Sequence, residues 1–100
     1  MIEHVSDELR EDILNEMRDM ADRGTEVRGL TELVQRRLDL KPDSLIPVLA
    51  YFCRAFYVSL HDILPLREWL DTDDDREINE IIMPKILKLR SKWLQPSLKT

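Results

Sequence analysis

The residues best suited to chemistry in this chain are the acids of the segment DTDDDREINEII, residues 71 to 82. Asp71, Asp73 and Asp75 alternate along it, and Ile78 follows where a calcium-binding loop carries an apolar residue. Carboxylate oxygens at such alternating positions are ligands that Ca²⁺ takes up in loops of this kind. The segment therefore raises the hypothesis of a cation site, which its remaining positions test.

Two further positions of the segment contradict a cation site. A calcium loop needs glycine at its sixth position and a bidentate glutamate at its twelfth, and counted from Asp71 these positions hold Arg76 and Ile82. The resemblance to the EF-hand family is confined to this segment and lacks its two most diagnostic residues. We predict no metal here, and instead a helix that begins with Thr72 or Asp73 as its cap. The acids that follow would face the positive end of the helix dipole: Asp74, Asp75 and Glu77.

The other chemically active side chains do not combine into a catalytic or cofactor site. His4 and His61 are far apart, and Cys53, the single cysteine, lies among apolar residues. His61 and its neighbour Asp62 would point in different directions from a helix. There is no glycine-rich phosphate loop, and zinc would lack enough Cys and His ligands. We therefore predict that the protein is not an enzyme and has no catalytic residue, bound metal or cofactor.

Composition indicates one helical domain in the cytoplasm. One hundred residues suit a single domain, 1–100, and only two glycines among them favour helices over a β-rich fold. The lone cysteine excludes an internal disulfide, and a buried thiol suits a reducing compartment. The acidic start is not a secretory signal, and the longest apolar stretch contains Pro47 and Arg54, so we expect no membrane span. The net charge of −5 argues against a general binder of polyanions.

Apolar residues three and four apart recur along the whole chain and predict an all-α fold of four to five helices. The first helix should run from a Ser6 cap to a stop at Gly24, and the second from a Thr25 cap to Leu38. The third, about 45–56, is apolar almost all round and should therefore lie at the centre of the fold.

The C-terminal half should add a short helix and a long one. Ser59 can cap the short fourth helix, and LREWL should add one more turn. In the last helix the apolar stripe keeps one phase from Ile78 to Trp93 across Pro84. We therefore predict one long helix that reaches Leu94 and is kinked at Pro84.

One segment resembles a known family of DNA-binding proteins. DSLIPVLAYFCRAFYVSLHDIL, residues 43 to 64, resembles the closing helices of Cro/C1-type helix-turn-helix regulators, in which an apolar helix leads into a Val-Ser-Leu-Asp-like cap. The resemblance implies a transcriptional regulator that places Arg28, Arg36, Arg37 or the basic tail on phosphates. Two features depart from the family: the helix LIPVLAYF offers no polar or basic side chain to a DNA groove, and the second glycine-containing turn expected upstream is missing. The residues that carry the resemblance are Leu49, Ala50, Phe56, Val58, Ser59, Leu60, Asp62 and Leu64.

Charge is segregated along the chain. Acids crowd the first predicted helix and the stretch from Asp71 to Glu80, and no acid follows Glu80. Lys85, Lys88 and Lys92 should form a basic face opposite the apolar stripe of the last helix. Most of these charges should be solvated. In addition, the basic tail can pack beside the acidic first helix, within a monomer or across a homodimer, or the acidic surface can meet a basic partner.

These observations favour a non-catalytic protein that binds another protein, one of basic character. It would be a small acidic module with a regulatory, adaptor or inhibitor role. Immunity and antitoxin proteins are examples of such inhibitors. Trp69 either covers the core or anchors the partner, and we favour the cover. A helix-turn-helix DNA-binding regulator is the main rival, and a homodimer remains open. The candidate partner-binding residues are Trp69, Asp71, Asp73, Asp74 and Asp75.

Overall fold

Every regular element is helical in the residues that the computed structural model describes, which are 9–41, 44–69 and 74–94. The all-α prediction is therefore confirmed. Within these ranges no helix is both long enough and apolar enough to cross a membrane. The helices are α1 (Glu11–Asp22), α2 (Val27–Arg37), α3 (Ile46–Phe56), α4 (Leu60–Ile63), α5 (Leu66–Trp69), α6 (Asp75–Lys88) and α7 (Arg90–Trp93).

α3 lies at the centre, as its apolar sequence predicts. It packs against α1, α2, α4 and α7, and its Phe52 and Phe56 are fully buried. The Phe56 ring meets Trp93 of α7 edge-on, with 5.0 Å between the ring centroids. One side of the helix still faces solvent: Ile46 is 74% exposed and Arg54 is exposed. Arg54 is thus a surface residue at the end of a largely buried helix.

Two helices begin where another helix supplies the cap, and not where the local sequence predicts one. Ser6 lies outside the described residues, and α1 begins at Glu11 with the Arg10 N–H donating to the Tyr51 hydroxyl of α3 at 3.0 Å. Thr25 does not cap α2 either. The Val27 N–H donates instead to Asn79 Oδ1 of α6 at 3.0 Å. These long-range bonds satisfy N–H groups that the first turn of a helix leaves without a partner.

The two stops after α1 and α2 have the same backbone pattern. After α1, Gly24 has φ of 102° and the Thr25 N–H donates to the Met20 carbonyl at 2.9 Å. After α2, Asp39 has φ of 56° and the Leu40 N–H donates to the carbonyl five residues back at 2.8 Å. Both are Schellman-type ends, which need a residue with positive φ. The predicted stops at Gly24 and near Leu38 are both confirmed, but the positive φ of Asp39 was not predicted.

The C-terminal segment is two helices, which corrects the prediction of one helix reaching Leu94. α6 passes through Pro84 and ends at Lys88, and α7 begins after a break at Leu89. The Trp93 indole N–H donates to the Ile86 carbonyl at 2.7 Å. In an unbroken helix that carbonyl would accept from the N–H four residues on. At the position where the helix stops, the Ile86 carbonyl accepts from both the Leu89 N–H, at 3.1 Å, and the buried indole.

Candidate partner-binding groove

The acidic segment starts α6, close to the predicted position. Asp71, Thr72 and Asp73 lie outside the described residues. The residue that caps the helix is Asp74, whose Oδ1 accepts from the Arg76 N–H at 3.0 Å. Asp75 is the first residue of the helix. The prediction of a helix start is confirmed, with the cap one or two residues later than expected.

Trp69 and Asp75 are joined to each other and to Arg28 of α2. The Arg28 guanidinium donates two hydrogen bonds to the Asp75 carboxylate, each 2.7 Å long. The Trp69 indole N–H donates to Asp75 Oδ1 at 3.0 Å, and the Arg28 guanidinium carbon lies 5.1 Å from the centroid of the Trp69 ring. Because Trp69 is only 6% exposed, this joint closes the edge of the core where α2, α5 and α6 meet. The geometry agrees with Trp69 as a cover.

The charge of Asp75 is held by its neighbours in this joint. The hydrogen bonds from Arg28 are the largest cause that lowers the pKa of Asp75 below its ordinary value; partial burial opposes them and the Trp69 indole adds to them. Both carboxylate oxygens of Asp75 accept hydrogen bonds from protein donors. In the described ranges no group of three or more His, Cys, Asp or Glu side chains is placed to hold a metal ion.

A groove lies next to this joint, between α5 and the first half of α6. Its volume is about 310 Å³, and its wall combines carboxylates with apolar side chains. A depression of about 690 Å³ adjoins it on the α4 side, shares three of its residues and adds His61, Leu64 and Arg67. We call the first of these the acidic groove. It is lined by Pro65, Glu68, Trp69, Asp74, Glu77, Ile78 and Ile81.

The carboxylates of the acidic groove have no cation partner among the described residues. Glu68, Asp74 and Glu77 are exposed, and none forms an ion pair within the part of the chain that the structure describes. Many acids elsewhere are paired. Those ion pairs are Arg10–Asp12, Arg23–Asp19, Arg28–Asp75, Arg37–Asp12, Arg37–Glu16, Lys85–Asp62 and Arg90–Asp22.

The ion pairs also show where other predicted charges lie. Arg90, just past α6, binds Asp22 at the end of α1, with 2.7 Å between its Nε and the carboxylate. The Arg90–Asp22 ion pair is therefore one contact, within a single chain, of the kind predicted between the basic tail and the acidic first helix. Arg28 and Arg37, which the DNA-binding hypothesis would place on phosphates, form ion pairs with acids of other helices.

The predicted basic face is divided between two helices. Lys85 and Lys88 are exposed on α6, and Lys92 is exposed on α7 beyond the break. Lys85 lies 3.4 Å from the Asp62 carboxylate. Burial alone would raise the pKa of Asp62, but Lys85 and the Ser59 hydroxyl outweigh it and hold that pKa below its ordinary value.

The single cysteine carries no reactive signature. Cys53 is half-buried and free. Burial, with the Asp62 charge as a smaller cause, raises the pKa of the thiol. A raised pKa lowers the fraction of thiolate, the form that attacks electrophiles and binds metals.

The linear sequence contained only part of this groove. Of the predicted acids, Asp74 lines the groove and Asp75 lies beside it. The prediction omitted Pro65, Glu68 and Ile81. Pro65 lies in the turn before α5, Glu68 in α5 and Ile81 in α6, and the packing of α5 on α6 brings them together, so periodicity carries no signal that joins them. Glu77 was predicted as an acid near the positive end of the helix dipole, not as part of a binding surface.

No protein-family model matches the chain, and comparison with curated proteins and with solved structures found no similar protein.

Proposed function

We propose that this protein is a non-catalytic binding module that holds a basic segment of another protein in the acidic groove. The observation that supports the proposal most directly is the set of three unneutralised carboxylates, Glu68, Asp74 and Glu77, around apolar side chains in one concave surface. An apolar anchor of the partner would lie against Ile78 and Ile81. Lysine or arginine side chains beside that anchor would meet the carboxylates.

This division of labour follows from the energetics of interfaces. Burial of an apolar anchor supplies most of the affinity, whereas charges at the rim speed the encounter and select the partner. The groove can keep its shape because the Arg28–Trp69–Asp75 joint holds α5 against α6. Partner segments that carry acidic residues would be excluded by like-charge repulsion.

The finer parts of the proposal concern role and surroundings. We place the protein in the cytoplasm, as a regulatory, adaptor or inhibitor module of the immunity or antitoxin kind, with the net charge of −5 suited to a basic partner. Association with a second copy belongs to the same proposal.

The proposal can be tested with short synthetic peptides in which lysines flank a leucine or phenylalanine. Binding is followed through the N–H resonances of the protein by NMR, where the Trp69 indole N–H reports on the groove wall. A lysine peptide should shift resonances around the groove and bind more weakly as salt rises. The matched peptide with glutamates in place of lysines should not bind.

Charge reversal on the protein supplies the matched control. The double variant Glu68→Lys/Glu77→Lys should abolish binding of the lysine peptide. Glu11→Lys/Glu32→Lys changes the net charge equally, and Glu11, like Glu77, lies in the first turn of a helix. This control should bind normally. Equal loss in both double variants, or no binding of any basic peptide, would contradict the proposal.

DNA is the competing ligand, and the same preparation tests it. If duplex DNA binds tightly at low salt and the lysine peptide does not, the protein is a regulator of the helix-turn-helix kind. We expect no duplex binding, because Arg28 and Arg37 are held by acids and the groove is negative.

A further inference from the structure

The outward side of α6 carries a second surface, separate from the acidic groove. A shallow groove of about 810 Å³ runs along it beside the start of α2. Leu87 lines this groove, and 46% of it is exposed. It is one of four large apolar residues that are exposed in the described ranges. We call this surface the α6 ridge. It consists of Glu80, Met83, Pro84, Leu87 and Lys88.

Charge along the α6 ridge changes sign at its middle. Glu80, Pro84 and Lys88 are spaced four residues apart, so they form one row on the helix, and all three are exposed. These three residues present an acid, an apolar ring and a base in that order, and Arg76, one turn before Glu80, continues the row. Neither Glu80 nor Lys88 forms an ion pair within the described residues.

A surface with this order of charges is complementary to itself when one copy is reversed. We infer that the α6 ridge is the contact surface of a homodimer in which two α6 helices pack antiparallel around a twofold axis at Pro84. In that register Glu80 of each copy lies opposite Lys88 of the other, because both are four residues from the axis. A twofold contact repeats each favourable pair, so two such ion pairs form.

The apolar part of the α6 ridge suits the same arrangement. Met83 and Leu87 lie on either side of Pro84 along the helix, and the shallow groove beside α6 gives the side chains of the second copy a surface to pack against. Arg76, a cation in the acidic half, is eight residues from the axis, where the opposite α6 has already ended at Lys88. The residue at the matching register of the other copy, Lys92, lies on α7 beyond the break at Leu89.

The contact is confined largely to one pair of helices, so the dimer should be weak and depend on concentration. The inference rests on the self-association included in the proposed function and deepens it by naming the surface. It does not involve Glu68 or Glu77. Failure of the dimer and failure of peptide binding in the acidic groove are therefore distinguishable.

Charge-reversal variants test whether Glu80 of one copy faces Lys88 of the other. Sedimentation velocity from about 1 µM to about 1 mM should show wild-type protein moving from monomer to dimer. Glu80→Lys alone and Lys88→Glu alone place like charges opposite each other twice and should each weaken the dimer at least about tenfold. Glu32→Lys and Lys41→Glu make the same charge changes at exposed positions outside the α6 ridge and should leave the dimer unchanged.

The decisive samples are the combinations. An equimolar mixture of the Glu80→Lys and Lys88→Glu chains should form a heterodimer, because every pair across the axis is again of opposite charge. The double variant Glu80→Lys/Lys88→Glu should regain the homodimer for the same reason. Circular dichroism checks that each variant is folded. A wild-type protein that stays monomeric at about 1 mM, or single variants that dimerise normally, overturns the inference. Single variants that weaken the dimer without recovery in the combinations also overturn it.

Discussion

The two tryptophans of this protein are both buried, but their surroundings differ in kind. Trp93 is 3% exposed, meets Phe56 edge-on and donates its indole N–H to the Ile86 carbonyl at 2.7 Å. Trp69 is 6% exposed, lies under the Arg28 guanidinium and donates to the Asp75 carboxylate. One ring is held by apolar packing and a backbone group, and the other by an ion pair.

The difference separates the part of the molecule that sustains the fold from the part that shapes the acidic groove. A backbone carbonyl and a phenyl ring do not titrate, so the surroundings of Trp93 keep their strength over a wide range of pH and salt. Arg28 and Asp75 are partly exposed charges, with 43% and 35% of their side chains accessible, and their attraction is screened by salt. The groove wall can therefore loosen under conditions that leave the central packing intact.

The largest effect should come from removing the central indole. Trp93→Ala deletes a fully packed ring and leaves a cavity against Phe56, so we expect the free energy of unfolding to fall by about 3–5 kcal/mol. Trp69→Ala should cost less, about 2 kcal/mol, because its site lies at the edge of the groove and can partly collapse. Urea unfolding followed by circular dichroism measures both. Equal losses would erase the distinction between the two sites.

A smaller effect of opposite sign should come from Thr31 in α2. Its side chain is 2% exposed, and its hydroxyl has no hydrogen-bond partner among the described residues. Thr31→Val removes an unsatisfied buried polar group at nearly constant volume, so it should raise the free energy of unfolding by about 1 kcal/mol. Thr25→Val makes the same change at a half-exposed site and should have little effect. A loss of stability in Thr31→Val would show that the hydroxyl is bonded after all.

The finest distinction between the two sites is their response to acid. The pKa of Asp75 is lowered in the folded state, chiefly by the Arg28 hydrogen bonds. Its contribution to stability is therefore fully present above the ordinary value of 3.8 and is lost as pH falls through the lower folded value. In an NMR titration the Trp69 indole N–H resonance should move below about pH 4, while that of Trp93 stays in place.

Asp75→Asn is the control for this titration. The variant keeps an acceptor oxygen for the indole but cannot change charge, so the Trp69 resonance should no longer respond to acid. A response of the same size in the variant would assign the effect to another carboxylate. Parallel movement of both indole resonances would mean that acid unfolds the whole molecule at once.

Much of the fold followed from the spacing of apolar residues. The central helix was predicted at about 45–56 and is found at Ile46–Phe56, and Ser59 caps α4 as expected, with its hydroxyl accepting from the Asp62 N–H at 3.2 Å. Such features rest on residues that are neighbours in the chain. Apolar periodicity did not reveal the break at Leu89, where the Trp93 indole N–H donates to a carbonyl seven residues back in the chain.

The acidic groove was predictable only in part for the same reason. The sequence placed acids near Trp69, and the structure finds Asp74 and Glu77 in the groove there. Glu68 and Ile81 could not be assigned, since they approach each other only after α5 packs on α6. The pairing of Arg28 with Asp75 spans 47 residues, and no local pattern marks it.

The sequence alone determined that the chain is helical, which stretch is most apolar and where acids and bases concentrate, because periodicity and charge are properties of neighbouring residues. Tertiary structure alone decided how α1 and α2 are capped and which charges remain unpaired. The Tyr51 hydroxyl and Asn79 satisfy the starts of α1 and α2 from distant helices. A buried or terminal polar group accepts whichever partner the packing brings within reach, and that choice is made in three dimensions.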